Sequence, residues 1–310
     1  MDLTTRYLGL DLPHPFMPGA SPLDEDLDTV VRLEDAGAAA IVMHSLFEED
    51  TETHGLVPDR YLEHLLRIKR RVDIPVIASL NGTTTDGWLR YAQLIERAGA
   101  SALELNFYHV ATDFFEDAAA VERRVVDIVA VLKESIRIPL AMKLSPFYSA
   151  LPHLASQLDH LGADGLVLFN RFYQPDIDPE RRDVALRLQY SDSSELLLRL
   201  RWIAILSGRI RASLAVSGGV HQAIDAVKAV MAGASAVQLV SALLIGGPGR
   251  LKSIVDEFAR WGDQHEYESV SQMKGCANLA RCANPHRFER GNYVEILRSG
   301  RQSAARAAGH

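Results

Sequence analysis

Four phrases of this chain repeat one local pattern, in which a helical segment ends at Gly-Ala and a buried strand follows. They are Glu34-Asp35-Ala36-Gly37-Ala38, Arg97-Ala98-Gly99-Ala100, His160-Leu161-Gly162-Ala163 and Met231-Ala232-Gly233-Ala234. Two further phrases, Asp73-Ile74-Pro75-Val76 and Arg137-Ile138-Pro139-Leu140, enter a strand through Ile-Pro, at a position where proline is tolerated. A unit of one helix and one strand that recurs along a chain predicts a parallel sheet covered by helices.

Apolar runs and helical periodicities alternate along the chain until eight strands have been counted. Strands are predicted at 16–18, 39–44, 74–79, 102–106, 138–143, 165–170, 214–216 and 236–240, and helices at 24–36, 60–71, 84–98, 118–135, 148–161, 195–206 and 221–231. This number of units favours a (β/α)8 TIM barrel, formed as a single domain over residues 1–310, with a doubly wound sheet as the alternative. We also expect an N-terminal hairpin within 2–12, a C-terminal helical extension within 266–298 and a disordered tail at 300–310.

The composition narrows the class of protein and of partner. The 310 residues carry a formal net charge of −7, which argues against binding to nucleic acid or to an acidic membrane surface. The first residues lack a basic stretch followed by an apolar run, so no signal peptide is expected, and the low cysteine content suits a reducing cytoplasm. The two cysteines, Cys276 and Cys282, lie near His265 and His286 at a spacing that fits no zinc pattern, so no metal site is predicted.

Barrel active sites form at the carboxyl ends of the strands, and many of the predicted strands end in polar residues. Lys143 ends an apolar strand and is expected to reach the barrel mouth, although a lysine can also extend from a strand end to solvent. Asn106 and Asn170 end two further strands and offer amide donors and acceptors. His44 ends the second strand, either as a site residue or as a hydrogen-bonded core histidine. The remaining polar side chains at strand ends are Ser21, Ser79, Asn81, Glu104, Ser217 and Ser241.

Two turns after the last two strands predict a phosphate site. Ser217, Gly218 and Gly219 precede a helix, so that backbone N–H groups and the helix dipole would face an anion, and Ser241 opens the next turn. The phosphate site of many barrels lies after strands 7 and 8, although tight turns alone would also explain the glycines. A cationic lysine, two amides and a phosphate cradle around one mouth suggest a site for flavin mononucleotide (FMN).

Eight short phrases, in their order and spacing, resemble the dihydroorotate dehydrogenases and in particular a divergent bacterial branch of that family. The phrases are PGASPL at 18–23, IVMHS at 41–45, VIASLNG at 76–82, LELN at 103–106, AMKLSPF at 141–147, LVLFN at 166–170, VSGGV at 216–220 and AVQLVSAL at 236–243. The resemblance covers about residues 2–245. It implies a TIM barrel that binds FMN at its top and oxidises dihydroorotate to orotate in pyrimidine biosynthesis.

The resemblance also assigns roles by position. The flavin and its phosphate would be held by Ala20, Ser21, His44, Asn106, Lys143, Asn170, Ser217, Gly218, Gly219, Val240 and Ser241. Within this set Lys143 would contact the ring, and His44 stands where the family has a lysine that reaches the flavin. The partner is expected to be a small-molecule substrate, and a homodimer is expected because related barrels are often dimers.

The chain departs from the family in two loops. After the fourth strand the family reads Asn-Leu-Ser-Cys-Pro-Asn, with the cysteine (or a serine) as base, whereas this chain reads Asn106-Phe107-Tyr108-His109-Val110-Ala111. His109 is the candidate base because histidine exchanges a proton near neutral pH, and Tyr108 is the second candidate. The alternative is that neither faces the flavin and that this loop packs against the excursion at 171–194. In the loop after the second strand, acids stand where the family has two amide ligands of orotate, with Glu52 and Asp59 at its ends.

Several functions therefore remain open. The first is an FMN-dependent oxidoreductase acting on CH–CH groups, with dihydroorotate as the substrate that the family implies. The others are an FMN barrel with a different substrate, a flavin-binding protein without turnover, and a lyase that forms a Schiff base through Lys143.

Overall fold

A computed structural model describes residues 1–47, 57–82 and 85–308. The chain starts with an antiparallel hairpin of β1 (Thr5–Tyr7) and β2 (Leu10–Leu12), in which Thr5 lies opposite Leu12. This hairpin confirms the one expected within 2–12. Tyr7, Leu8 and Leu12 are buried and belong to one apolar cluster with the inward-facing residues at the start of the barrel strands. The hairpin therefore closes the bottom of the barrel.

Eight parallel strands form the barrel, in the order β3-β12-β11-β8-β7-β6-β5-β4. The strands that follow the hairpin are β3 (Phe16–Pro18), β4 (Ile41–Phe47), β5 (Val76–Asn81), β6 (Ala102–Asn106), β7 (Leu140–Leu144), β8 (Gly165–Leu168), the two exposed strands β9 (Asp176–Asp178) and β10 (Asp183–Ala185), then β11 (Ser213–Ser217) and β12 (Ala236–Leu239). The Ala39 N–H donates to the Phe16 carbonyl at 3.0 Å, joining the first and second barrel strands. This is the (β/α)8 TIM barrel that the sequence predicts.

Helices cover the outside of the barrel between its strands. They are α1 (Leu27–Asp35), α2 (Val57–Lys69), α3 (Thr85–Arg97), α4 (Ala118–Ser135), α5 (Leu151–His160), α6 (Leu196–Leu206), α7 (Ala223–Ala232), α8 (Ser241–Gly246), α9 (Gly249–Gln264), α10 (Val270–Met273) and α11 (Gly291–Ala308). Aspartates fix two helix starts: Asp26 accepts from the N–H of Thr29 at 3.0 Å, and Asp117 accepts from that of Ala120 at 2.7 Å. None of the helices among the described residues is long and apolar enough to cross a membrane.

The predicted elements are found with ends shifted by a few residues. The helix predicted at 118–135 has those bounds in the structure. By contrast, α11 continues to Ala308 through most of the segment expected to be a disordered tail. Alanine, arginine and glutamine, which recur in this segment, are strong helix formers.

Three carboxylates at the base of the barrel follow a rule that repeats every second unit. Each lies near the end of one helix and accepts from two successive backbone N–H groups just before the strand two units further on. Glu34 receives Asp73 and Ile74 at 2.7 and 3.3 Å, Glu96 receives Arg137 and Ile138 at 2.6 and 3.0 Å, and Asp159 receives Arg211 and Ala212 at 2.9 and 2.8 Å. The carboxylates thus satisfy backbone donors just before a strand begins, and each connects its own helix to the unit two positions further along the chain.

We expect Glu96→Ala to lower the free energy of unfolding by about 1–3 kcal/mol, because two backbone donors lose a charged acceptor. Glu96→Gln keeps one carbonyl oxygen and should lose less. Asp127→Ala, at an exposed position of α4, is the matched control. Denaturant unfolding measures all three variants. Equal losses for Glu96→Ala and Asp127→Ala would show that the hydrogen bonds of the Glu96 carboxylate to the backbone contribute nothing to stability.

Candidate active site

The inside of the barrel changes from apolar to polar within one step along the strands. The lower layer is a buried cluster that includes Met17, Val42, Ile77, Ala102, Ala141, Val167, Ala215 and Ala236. Side chains two residues further along a strand point to the same face, and they form the next layer. Its polar members are Ser79, Glu104, Lys143, Ser217 and Gln238, all of which are buried. The sequence therefore directs its polar groups to the upper part of the barrel.

A buried ion pair occupies the middle of this polar layer. The Lys143 Nζ donates to Glu104 Oε1 at 3.2 Å, and the Gln238 amide donates to the other Glu104 oxygen. Glu104 is 1 % exposed and Lys143 6 %, so each charge depends on the other for compensation. Burial, followed by the Glu104 charge, raises the pKa of Tyr7 well above its ordinary value. The described contacts use one of the three Lys143 donors.

The two candidate asparagines have different surroundings. Asn170 donates to the carbonyls of Phe107 and Lys143 at 3.0 and 3.2 Å, and so ties the ends of β6 and β7 to the chain after β8. Asn106 Oδ1 is buried and has no hydrogen-bond partner among the described residues, and Gln238 Oε1 is in the same condition. A buried acceptor without a donor is costly. Both oxygens are suited to accept from a ligand N–H.

The turns after β11 and β12 lie side by side. Ser191 connects them, since its N–H donates to Ser241 Oγ at 3.1 Å and its own Oγ lies 3.5 Å from the Gly219 nitrogen. Gly218 and Gly219 both have positive φ, at +87° and +80°, a conformation that favours glycine. A Cβ on Gly219 would lie 2.5 Å from the Leu196 nitrogen. Gly219 is therefore required for close packing on α6, and a larger residue there would disturb more than a phosphate site.

The loop after β3 borders the same mouth. Ser21 Oγ donates to the Gly19 carbonyl at 3.0 Å, and Ala20 packs against the lower apolar cluster. Val240 directly follows β12, and its Cγ2 would lie 3.1 Å from a Cβ on Gly19. A side chain at Gly19 would therefore collide with the end of β12.

His44 has a different environment from the other candidate flavin residues. The pairing of β4 with β5 shifts register between Val42 and Ser45, and Ser45 takes the inward position, with its hydroxyl 2.8 Å from that of Ser79. The His44 ring instead lies against Asp24, with Nδ1 2.9 Å from Asp24 Oδ2. Burial opposes the imidazolium, but the hydrogen bond and the charge of Asp24 outweigh it and raise the pKa of His44. The structure thus does not bring His44 together with Lys143 and Asn106.

The loop after β6 separates its two candidate bases. The Tyr108 ring stacks on Phe172 of the excursion, with centroids 4.2 Å apart, and Phe147 meets Phe172 edge-on at 5.1 Å. His109 Nε2 lies 3.2 Å from Glu116 Oε2 and 3.1 Å from Arg124 Nη1. The hydrogen bond with His109, and then Arg124, lowers the pKa of Glu116. Tyr108 therefore has the packing contact of our alternative, whereas His109 has an acid partner that can orient it.

Several contributors to the site escaped the sequence analysis. Gln238 interrupts a short apolar strand, and that interruption was the signal available for it. Ser191, Glu116 and Arg124 lie on segments whose position only the tertiary fold determines. The loop residue Glu52 lies outside the described residues, while Asp59 is exposed at the start of α2.

Comparison with known proteins agrees with this architecture. The family model described as dihydroorotate dehydrogenase matches residues 51–261. The chain is 28 % identical over 300 residues to the dihydroorotate dehydrogenase B (NAD(+)), catalytic subunit, of Thermoplasma acidophilum, covering 89 % of this chain and 99 % of that protein. It is 31 % identical over 224 residues to a putative dihydroorotate dehydrogenase A (fumarate) of Aeropyrum pernix, covering 70 % and 72 %.

We expect Lys143→Met to destabilise the protein by about 3–5 kcal/mol, because it leaves the buried Glu104 charge uncompensated. The double variant Glu104→Gln/Lys143→Met removes both charges and should recover most of that loss. Lys133→Met breaks a partly exposed ion pair with Asp164 and should cost about 1 kcal/mol or less. Denaturant unfolding of Glu104→Gln, Lys143→Met and the double variant gives the double-mutant cycle. Additive effects of the two single changes would mean that Glu104 and Lys143 are not coupled.

Proposed function

This chain belongs to the dihydroorotate dehydrogenase family, and we propose that it is an FMN-dependent oxidoreductase that converts dihydroorotate to orotate in pyrimidine biosynthesis. The observation that carries the proposal is Lys143, a buried cation whose register partner on β6, Asn106, has a buried amide oxygen with no donor among the described residues. The two adjacent turns after β11 and β12 add a place for a phosphate. The names of the relatives support the same reaction.

The residues at the mouth fit FMN in three respects. Asn106 Oδ1 and Gln238 Oε1 are acceptors for a heterocyclic N–H group. Ser241 and the Gly219 N–H converge on Ser191, and they would bind the phosphate from the same direction. Lys143 would face the electron-rich edge of the ring. When bound, FMN would supply a two-electron acceptor for the oxidation of the substrate.

Lys143 and Glu104 act as one unit in this proposal. Glu104 holds the Lys143 ammonium inside the barrel, and the described contacts leave two of its three donors for a ligand. A fixed positive charge in a site that excludes water stabilises negative charge that develops during reaction. The Schiff-base alternative requires Lys143 to present a lone pair, whereas here its ammonium is paired with a carboxylate. The ion pair thus favours an electrostatic role for Lys143.

His109 is our candidate for the base, with Glu116 as its orienting partner. If Nε2 donates its proton to Glu116, with Arg124 bonded to that carboxylate rather than to the ring nitrogen, the Nδ1 lone pair is available to take a proton from the substrate. Arg124 binds the other Glu116 oxygen and so holds the carboxylate in place. Tyr108 remains the second candidate and is positioned by Phe172.

A different substrate is the second candidate function. Acids, with Glu52 and Asp59 at the ends of the loop, stand where the family pattern has amide ligands of orotate. Carboxylates would repel the orotate carboxylate and would favour a neutral or cationic substrate. A chain that binds FMN without turnover is the remaining alternative.

We further propose a cytoplasmic location and a homodimer. The net charge of −7 and the low cysteine content support the first proposal. Some relatives are named as catalytic subunits, so a second type of subunit is the other assembly to consider. Light scattering on the purified chain, alone and with candidate electron-transfer proteins, distinguishes the two assemblies.

The absorption spectrum of the purified protein tests the cofactor and the substrate together. We expect a flavin band before substrate and loss of that band after anaerobic dihydroorotate. A flavin band that dihydroorotate does not change would favour another substrate or a binding function. Absence of flavin even after incubation with FMN would contradict the proposed cofactor. Ser241→Ala should weaken FMN retention, and it is a cleaner test than a change at Gly219, which packs on Leu196.

We expect His109→Ala to slow reduction of the flavin by substrate about 10²–10⁴-fold, the range typical of a lost general base. Tyr108→Phe keeps the stack on Phe172 and serves as the control. Stopped-flow measurement at equal FMN content gives both rates. A slow Tyr108→Phe with an unaffected His109→Ala would transfer the role to Tyr108.

A further inference from the structure

Three potential metal ligands meet beside the barrel, outside the proposed flavin site. Asp24 ends the 3-10 helix Pro22–Asp24 after β3, His44 lies at the register shift of β4, and His64 lies on α2. Asp24 Oδ2 is 2.9 Å from His44 Nδ1 and 3.8 Å from His64 Nε2, and the three ligand atoms lie within 4.8 Å of one another. We propose that Asp24, His44 and His64 bind a divalent transition-metal ion of the zinc class.

The distances suit one ion between the three groups. Zinc lies about 2.0–2.2 Å from nitrogen and oxygen ligands in a tetrahedral site, which separates neighbouring ligand atoms by about 3.3 Å. The observed separations of 2.9 and 3.8 Å lie on either side of that value. His64 Nε2 also lies 2.7 Å from the Asp24 carbonyl, so binding an ion requires His64 to exchange that hydrogen bond for the metal and both imidazole rings to rotate.

The donor set also selects the class of metal. Two imidazole nitrogens and one carboxylate suit zinc, iron, cobalt or nickel, whereas calcium and magnesium prefer oxygen ligands. Asp24 is 2 % exposed, and the N–H of His44 donates to its Oδ1 at 2.9 Å, which orients Oδ2 toward the rings. Three protein ligands leave a further position for water, as in open zinc sites. A cavity of about 390 Å³ that is lined by both histidines provides access.

The local backbone explains why His44 is available for this site. One extra residue in β4 turns His44 away from the interior and gives the inward position to Ser45. Next to the register shift, the Tyr61 hydroxyl binds both backbone groups of Ser79. It accepts from the Ser79 N–H at 2.9 Å and donates to the Ser79 carbonyl at 3.0 Å. Bulges of this kind commonly redirect a side chain beside a functional site.

The inference does not depend on the proposed flavin chemistry. His44 stands where the resemblance to the family leads us to expect a lysine that reaches the flavin, and the shifted register instead directs it to Asp24 and His64. A metal there would join β3, β4 and α2 at the rim of the barrel. The sequence analysis predicts no metal site at the two cysteines and the histidines near them. The triad of Asp24, His44 and His64 is made of other residues.

Metal binding by the full-length protein, purified without a histidine tag and stripped with a chelator, tests the proposal. Titration with Co²⁺ should give the visible absorption of a coordinated ion at one equivalent, and Zn²⁺ should displace it. His44→Asn and His64→Gln place an amide where the ligating nitrogen was, so they keep a hydrogen bond but lose the imidazole. Each should weaken binding about 100-fold or more, since even partners of metal ligands account for about 10–100-fold.

His160→Gln, at the end of α5, is the matched control and should bind Co²⁺ as the parent does. Thermal unfolding checks that each variant is folded. The amide of His64→Gln can keep the hydrogen bond to the Asp24 carbonyl, so this variant should keep the fold even if His44→Asn does not. Failure of the parent to bind Co²⁺ or Zn²⁺ would overturn the proposal. Unchanged binding by the His44→Asn/His64→Gln double variant would also overturn it.

Discussion

The ion pair between Glu104 and Lys143 is the interaction on which the barrel mouth depends. Both charges are removed from water in the middle of the barrel, and each is tolerated because the other compensates it. The two charges lie at inward-facing positions of β6 and β7, and Asn170 ties the ends of the same two strands. The Lys143 ammonium is thus fixed by the protein itself, which is the preorganisation that electrostatic catalysis requires.

The extra residue in β4 separates two kinds of chemistry on opposite sides of one strand. Inside the barrel, it places the small hydroxyl of Ser45 beside Ser79, rather than an imidazole near Glu104 and Lys143. Outside, it directs His44 to Asp24 and His64. The polar groups of the interior therefore remain dominated by a single ion pair, while the titratable imidazoles are kept together at the rim.

The sequence predicts the barrel well because the signals for it are local. Gly-Ala at helix ends and Ile-Pro at strand starts recur in phase with the units, and Lys143 and Asn106 follow from their position at strand ends. The bulge was not predictable, since the apolar run of β4 reads the same with or without an extra residue. Asp24 and His64 are also far from His44 in sequence, so only the fold brings them together. The partners of His109 lie in the following loop and helix, and only the fold determines that these segments return to His109.

The excursion at 171–194 joins the loop after β6 to the turns after β11 and β12. It begins near Phe172, whose ring stacks on Tyr108, and it ends near Ser191, which lies between the two turns after β11 and β12. The hairpin of β9 and β10 between them is exposed, with Ile177 72 % and Val184 58 % accessible, and segments with few buried contacts move at low free-energy cost. Ser191 and Phe172 therefore connect the turns after β11 and β12 with the loop after β6 through one stretch of chain.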